Sequence, residues 1–175
     1  MSEATIDQRP RERLLQTIAY ERTVWQELVD DVGPDRLETP GAMGRWTFRD
    51  LAAHLTFWSD YVIDDIYASP SGKRTYPWPD EIDREDDDAI NAWVQQEQRK
   101  RTQDEVLADA DALYDRLDAC FRRAPDVLLL ERGIIPWVPE EMTLAEFAQR
   151  DLFRHLHEDH EPDVRAMLIV HPRTQ

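Results

Sequence analysis

Four of the five histidines fall in two segments whose residue spacing predicts helices. His54 follows the letters WTFRDLAA, and His155, His157 and His160 lie within RHLHEDHE near the end of the chain. Histidine is the commonest metal ligand in proteins, and its imidazole also exchanges protons near neutral pH. Two histidines from one helix and a third from a facing helix leave one position open around a tetrahedral ion, which is the pattern of catalytic zinc sites.

The spacing on the last helix favours His157 and His160 as the pair that meets His54. His160 lies near the centre of the predicted buried face, and a residue three positions earlier is only about 60° away at 100° per residue. The predicted ligands of a divalent zinc, nickel or iron ion are therefore His54, His157 and His160.

Two other interpretations of the last helix stay open. His155 and Asp159 are spaced i, i+4 and provide a second possible pair of ligands. Alternatively no metal is bound, and His155 and His157 lie on a solvated, charged face beside Glu158 and Asp159.

The stretch 46–58, WTFRDLAAHLTFW, determines how His54 is positioned. Thr47 and Asp50 have the spacing of a capping box, so a helix begins here. The following apolar residues recur every three or four positions, as on one face of a helix: Leu51, Leu55, Trp58, Val62 and Ile66. His54 lies at the edge of that face, where a lone histidine is usually a core residue, so its role depends on what the last helix brings near it.

The whole chain predicts an all-α protein, a four-helix bundle formed as one domain over residues 9–171 after a frayed segment 1–8. The long helices run from about Pro10 to Val32, from Thr47 to about Ala68, from a capping box at Thr102 to about Pro125, and from a capping box at Thr143 to about Val170. Long connections at 69–86 and 125–142 separate them, and a short helix follows the first connection at 88–101. Pro162 predicts a kink in the last helix near residue 158.

Composition and charge exclude several classes of partner. The formal net charge of −16 disfavours binding to nucleic-acid phosphates and to anionic membrane surfaces. The single cysteine, Cys120, cannot form an internal disulfide and lies on a predicted apolar helix face, which indicates a buried small residue. Without a signal-peptide pattern or a run of apolar residues that could span a bilayer, we expect a cytoplasmic protein with no membrane partner.

Aromatic residues on the two proline-rich connections suggest a covered surface. Tyr76 and Trp78 lie among prolines 70, 77 and 79, and we expect them to cover one end of the bundle. Trp78 and Trp137 are also candidates to close a ligand pocket or to form the interface of a homodimer.

The chain resembles the DinB-like superfamily of bacterial four-helix bundles. The resemblance rests on WTFRDLAAHLTFW with its one histidine, on INAWV at 90–94, and on the histidine-bearing DLFRHLHEDHEPDVRAML. It is closest to the branch of the colibactin self-resistance protein ClbS and the DfsB proteins, with the mycothiol-dependent maleylpyruvate isomerases as wider relatives. The resemblance implies a pocket between helices and, in many members, a divalent metal held by one histidine of the second helix and two ligands four apart on the last. His54 matches the first position, whereas Leu156, four residues before His160, cannot bind a metal.

The resemblance and the histidines together predict an enzyme that acts on a small electrophile. A bound metal would activate water for hydrolysis, or a low-molecular-weight thiol such as mycothiol for transfer or isomerisation. In a ClbS-like version, polar pocket residues activate water without metal, for detoxification or self-resistance. Asp50 and Glu158 are candidate supporting or basic residues, although capping and solvent exposure explain them equally well. The alternative is a non-catalytic helical bundle that binds a ligand or dimerises.

Overall fold

The computed structural model describes residues 9–68 and 76–172, and helices account for most of them. The fold class is therefore all-α, as predicted. The elements in chain order are α1 (Arg9–Val32), a 3₁₀ turn (Pro34–Arg36), β1 (Pro40–Met43), β2 (Trp46–Thr47), α2 (Phe48–Ala68), α3 (Asp87–Gln98), α4 (Gln103–Arg123), α5 (Asp126–Leu130), α6 (Leu144–Ala148), two π-helical segments (Gln149–Arg154 and Leu156–His160) and α7 (Glu161–Val170). The predicted frayed segment 1–8 and residues 69–75 of the first long connection lie outside the described residues.

Helix α4 packs against both α1 and α2, and α1 also contacts the last helix. The apolar residues that recur along one face of α4 are all buried in this core: Val106, Ala110, Leu113, Leu117, Cys120 and Phe121. Burial raises the pKa of the Cys120 thiol to about 11, so it is a core residue and not a nucleophile at neutral pH.

Three capping boxes begin the helices where the sequence predicts them. At the start of α2, the Thr47 amide donates to Asp50 Oδ2 at 3.1 Å and the Asp50 amide donates to Thr47 Oγ1 at 3.2 Å. The same reciprocal bonds join Thr102 with Glu105 and Thr143 with Glu146. Each box satisfies two amides that have no partner within the helix, so these helix starts are determined locally.

Two connections contain more structure than the sequence pattern predicts. The loop before α2 forms a small antiparallel hairpin of β1 and β2, in which Met43 pairs with Trp46, and α7 packs against β1. The connection at 125–142 contains the one-turn helix α5. The short helix expected over 88–101 spans Asp87–Gln98, because Asp86 caps it by accepting a hydrogen bond from the Ala89 amide.

The last helix is continuous from Leu144 to Val170, but its central part, Gln149–His160, is wound largely as π-helix. The α-helical winding resumes at Glu161, with Pro162 in the first turn of α7. Proline suits a first turn because its missing N–H would have no partner there, and it cannot donate to the carbonyl of residue 158. Near residue 158, where the sequence predicts a kink, the structure has π-helical winding that changes to α-helical winding at Glu161.

Tyr76 and Trp78 belong to a cluster of aromatic and apolar side chains formed with the middle parts of α2 and α3. The Trp78 side chain is buried and packs against Phe57, Trp58 and Tyr61, with a ring-centroid distance of 5.2 Å to Tyr61. Over residues 9–68 and 76–172, no helix combines the length and apolar character needed to cross a membrane.

Candidate metal centre

Three histidines converge where α2 faces the last helix. One ligand nitrogen from each of His54, His155 and His160 lies within 4.8 Å of the other two. The Nε2 atoms of His155 and His160 are 2.9 Å apart, and the His54 ring lies 5.3 Å from the His160 ring between centroids. The structure thus brings together two of the predicted ligands, His54 and His160, with His155 as the third.

The π-helical winding explains why His155 and His160 meet. In an α-helix, residues five apart diverge by about 140° around the axis and point to different faces. A π-helix forms i→i+5 hydrogen bonds, which align such residues one above the other. His155 lies between the two π-helical segments and His160 ends the second, so the winding places both rings on one face.

The other ring nitrogens of His54 and His155 have partners that orient the rings. The His54 Nδ1 lies 3.0 Å from Asn91 Oδ1, and this oxygen also accepts a bond from the Trp58 indole N–H at 2.8 Å. The His155 Nδ1 lies 2.7 Å from Asp159 Oδ2. With Nδ1–H donated to these oxygens, each ring presents a deprotonated Nε2 to the cluster, as metal-ligating histidines do.

Burial keeps two of the three rings neutral. Desolvation, and then the proximity of the other histidines, lowers the pKa of His54 to about 4, and desolvation with the neighbouring His155 does the same for His160. Both side chains are only 6% exposed. Metal ligation needs the neutral imidazole, so these rings are already in the required protonation state at pH 7.

These residues fit a divalent cation. In a tetrahedral zinc site with Zn–N distances of about 2.0–2.1 Å, two ligating nitrogens lie roughly 3.3 Å apart. In this cluster the Nε2 atoms of His155 and His160 are 2.9 Å apart, and all three ligand nitrogens lie within 4.8 Å of one another, so the spacing is similar. His160 Nδ1 is buried and has no hydrogen-bond partner among the described residues, whereas its Nε2 faces His155 Nε2 at 2.9 Å. Three imidazoles suit zinc, nickel or iron.

His157 is held elsewhere, in contact with α1. Its Nε2 lies 2.8 Å from the buried carboxylate of Glu21, and its Nδ1 lies 2.8 Å from Glu161. Burial lowers the pKa of His157, but the hydrogen bonds to Glu161 and Glu21 outweigh it and raise the pKa. Desolvation raises the pKa of Glu21 despite this contact. The structure therefore makes His157 an ionic link between two helices, because π-helical winding turns it away from the face of His155 and His160.

The two candidate supporting residues also have structural partners. Asp50 is buried in its capping box and accepts bonds from Gln95 and Arg99, at 2.9 Å and 3.2 Å. Glu158 is exposed and pairs with Arg154 at 2.5 Å. The residues that do support the cluster, Asn91 and Asp159, were not predicted in that role. Asn91 lies in the INAWV segment, and no local pattern relates it to His54.

A cavity of about 400 Å³ opens beside the cluster. His54 and His155 form part of its wall, so two of the three histidines are accessible from it. Its remaining walls come from α2, α3 and the last helix: Leu55, Trp58, Ser59, Val62, Asp87, Asn91, Phe147, Asp151 and Leu152. The arrangement is a neutral imidazole cluster at the edge of a small mixed pocket.

Comparison with known protein families decides which bundle this is. The family model for the DinB superfamily matches residues 8–157, most of the chain. The chain belongs to the DinB superfamily. No curated protein and no solved structure gives a significant match.

The superfamily match includes His54 and His155 but ends before His160. The metal-binding pattern of DinB-superfamily members, as the sequence resemblance implies it, places two ligands four residues apart on the last helix. In this chain His155 and His160 are five residues apart, and the π-helical winding brings their Nε2 atoms to 2.9 Å from each other.

Proposed function

We propose that this chain is a metal-dependent enzyme that acts on a small molecule, with His54, His155 and His160 as the ligands of a divalent cation. The observation that carries the proposal is the convergence of three imidazoles, two of them oriented by Asn91 and Asp159, beside a cavity. Convergent polar groups at a pocket are the usual mark of an active site.

Each residue has a defined task in this proposal. His54, His155 and His160 bind the ion, and three protein ligands leave a position for water or substrate. Asn91 and Asp159 hold the imidazoles in the tautomer that presents Nε2. A divalent cation held by these residues would supply Lewis acidity and would provide a nucleophile at neutral pH.

The cavity favours hydrolysis of a small electrophile over transfer of a thiol. A volume of about 400 Å³ is near the lower end of the range for ligand pockets and accommodates one small molecule. Transfer of a thiol such as mycothiol would require two molecules in the same space. All three proposed ligands belong to the same chain, and the homodimer stays a prediction.

The finer assignments stay predictions. A place near ClbS and DfsB, and a role in detoxification or self-resistance, rest on the resemblance of the sequence. A cytoplasmic location, a small electrophile as the partner and the absence of nucleic-acid partners rest on composition and charge.

Elemental mass spectrometry on untagged protein tests the proposal. We expect about one zinc, nickel or iron per chain in the wild type and almost none in His54→Ala, His155→Ala and His160→Ala. His171→Gln is the matched control, because His171 is exposed and near the chain end. Wild-type protein that holds no metal after reloading with each of the three ions would overturn the metal centre.

Hydrolysis is tested on the metal-loaded protein with a panel of activated esters, lactones and amides, with and without a low-molecular-weight thiol. We expect thiol-independent turnover that the His155→Ala variant loses. Stoichiometric metal without turnover of any panel member would overturn the enzymatic part and favour a metal-dependent binding protein.

A further inference from the structure

The cavity beside the histidines has an extensive apolar wall that comes from two helices. Trp58 and Val62 belong to α2, and Phe147 belongs to α6. Aromatic walls of this kind bury a flat or branched apolar body at low cost in conformational entropy. Trp137 packs edge-on against the Phe147 ring, with centroids 5.3 Å apart, and fixes that part of the wall.

The charged groups of the cavity wall are all acidic. Asp87, the first residue of α3, is exposed at the cavity, and neither a hydrogen bond nor an ion pair engages it among the described residues. Asp151 lies on the last helix and pairs with Arg150 at 2.8 Å. The described lining contains no lysine or arginine; Arg150, the partner of Asp151, is not part of it. Two carboxylates therefore line the cavity, and among the described residues only Asp151 has a cation beside it.

We infer that the ligand of this cavity is a small amine with an aromatic or branched apolar body. Its ammonium group pairs with Asp87 and Asp151, and its apolar part packs on Trp58 and Phe147. An anionic ligand would bring a second negative charge to these carboxylates and would find no basic partner in the described wall. The net charge of −16 also draws cations toward the protein.

This inference rests on the proposed function, because it takes the cavity as the substrate site, and it adds the class of substrate. A hydrolysable carbonyl group then lies toward His54 and His155, and the amine lies toward the carboxylates. The substrate class is an ester or amide that carries an amino group, and the acidic wall selects it against ligands with a carboxylate in that position.

Three probes with one skeleton test the charge preference: 4-phenylbutylamine, 4-phenylbutanol and 4-phenylbutyrate. Binding is measured by calorimetry on chelator-treated wild-type protein. Tryptophan fluorescence is a second readout, compared with that of Trp58→Phe, because the Trp58 indole lines the cavity and donates to Asn91. We expect the amine to bind about tenfold more tightly than the alcohol, as for a hydrogen bond to a charged group, and the butyrate to bind least.

Matched variants test whether the preference for the amine comes from Asp87 and Asp151. Asp87→Asn and Asp151→Asn should each weaken binding of the amine by about fivefold to tenfold and leave binding of the alcohol unchanged. Glu158→Gln is the control, because Glu158 lies on the same helix but outside the cavity and pairs with Arg154. Equal affinities for amine and alcohol, a preference for the butyrate, or no effect of either aspartate variant would overturn the inference.

The chelator-treated protein separates this inference from the proposed function. An amine preference in protein that binds no metal after reloading would support the amine site and overturn the metal-dependent enzyme. Stoichiometric metal without an amine preference would overturn the inference and leave the metal centre in place.

Discussion

His155 and His160 are five residues apart in the chain, yet their Nε2 atoms lie 2.9 Å apart. Regular α-helical winding would turn the two rings to different faces, whereas the π-helical winding of 149–160 aligns them. π-Helical segments are rare in proteins, and those that occur often lie at functional sites. The winding of one helix thus selects the histidine that joins His54 and the histidine that binds Glu21.

The first prediction separates the two neighbouring histidines. We expect His155→Ala to lose bound metal, whereas His157→Ala keeps it and is less stable by about 1–3 kcal/mol, because it leaves the buried Glu21 carboxylate without its partner. Metal content and urea unfolding of both variants are the measurements. Loss of metal from His157→Ala with retention in His155→Ala would restore His157 as the ligand.

The second prediction tests the π-helical register. In the double variant His155→Leu/Leu156→His, the histidine pair has the i, i+4 spacing that shares one face of a regular α-helix. Residue 156 is buried in this structure, so we expect metal binding to be lost. The variant Leu156→Met controls for the disturbance of the core. Stoichiometric metal in the double variant would show that this segment adopts α-helical winding instead.

The third prediction concerns Asn91. Its Oδ1 holds both His54 and Trp58, and removal of such a partner typically lowers metal affinity about 10-fold to 100-fold. We therefore expect Asn91→Leu to bind zinc more weakly in competition with a chromophoric chelator and to change the tryptophan fluorescence, to which Trp58 contributes. Asn91→Asp retains an acceptor and should keep most of the affinity. Equal affinities in wild type and Asn91→Leu would remove Asn91 from the site.

The fourth prediction concerns the pH dependence of stability without metal. His54 and His160 have a pKa of about 4 when folded and about 6.5 when unfolded, so the unfolded chain binds protons first as the pH falls. The free energy of unfolding should therefore decrease between pH 6.5 and about 4, by a few kcal/mol for the pair.

Urea unfolding in the presence of a chelator measures this slope. The His54→Gln/His160→Gln variant should have a shallower slope between pH 6.5 and 5, before most carboxylates titrate. The raised pKa of His157 acts in the opposite direction, and the variant retains this residue, so its contribution cancels in the comparison. Identical slopes would mean that the buried imidazoles do not control acid stability.

Much of the fold could be predicted because it depends on local rules. The pair of Thr47 and Asp50 begins α2 by its own hydrogen bonds, and the apolar period then turns Leu51 to the core and places His54 at the edge of that face. The hairpin of β1 and β2 was not predicted, since its two short strands carry no alternating pattern and depend on packing against α7.

The sequence by itself determined the number of long helices, their starting residues and the presence of His54 and His160 on facing surfaces. Tertiary structure alone decided the third member of the cluster. Ideal helical spacing favoured His157, but the carboxylate of Glu21 on α1 binds that imidazole, and π-helical winding turns His155 toward His160. Tertiary structure also decided the contact of Asn91 with His54, which exists only because α3 packs on α2. Such choices depend on contacts between segments far apart in the chain, and the periodicity of one helix does not contain them.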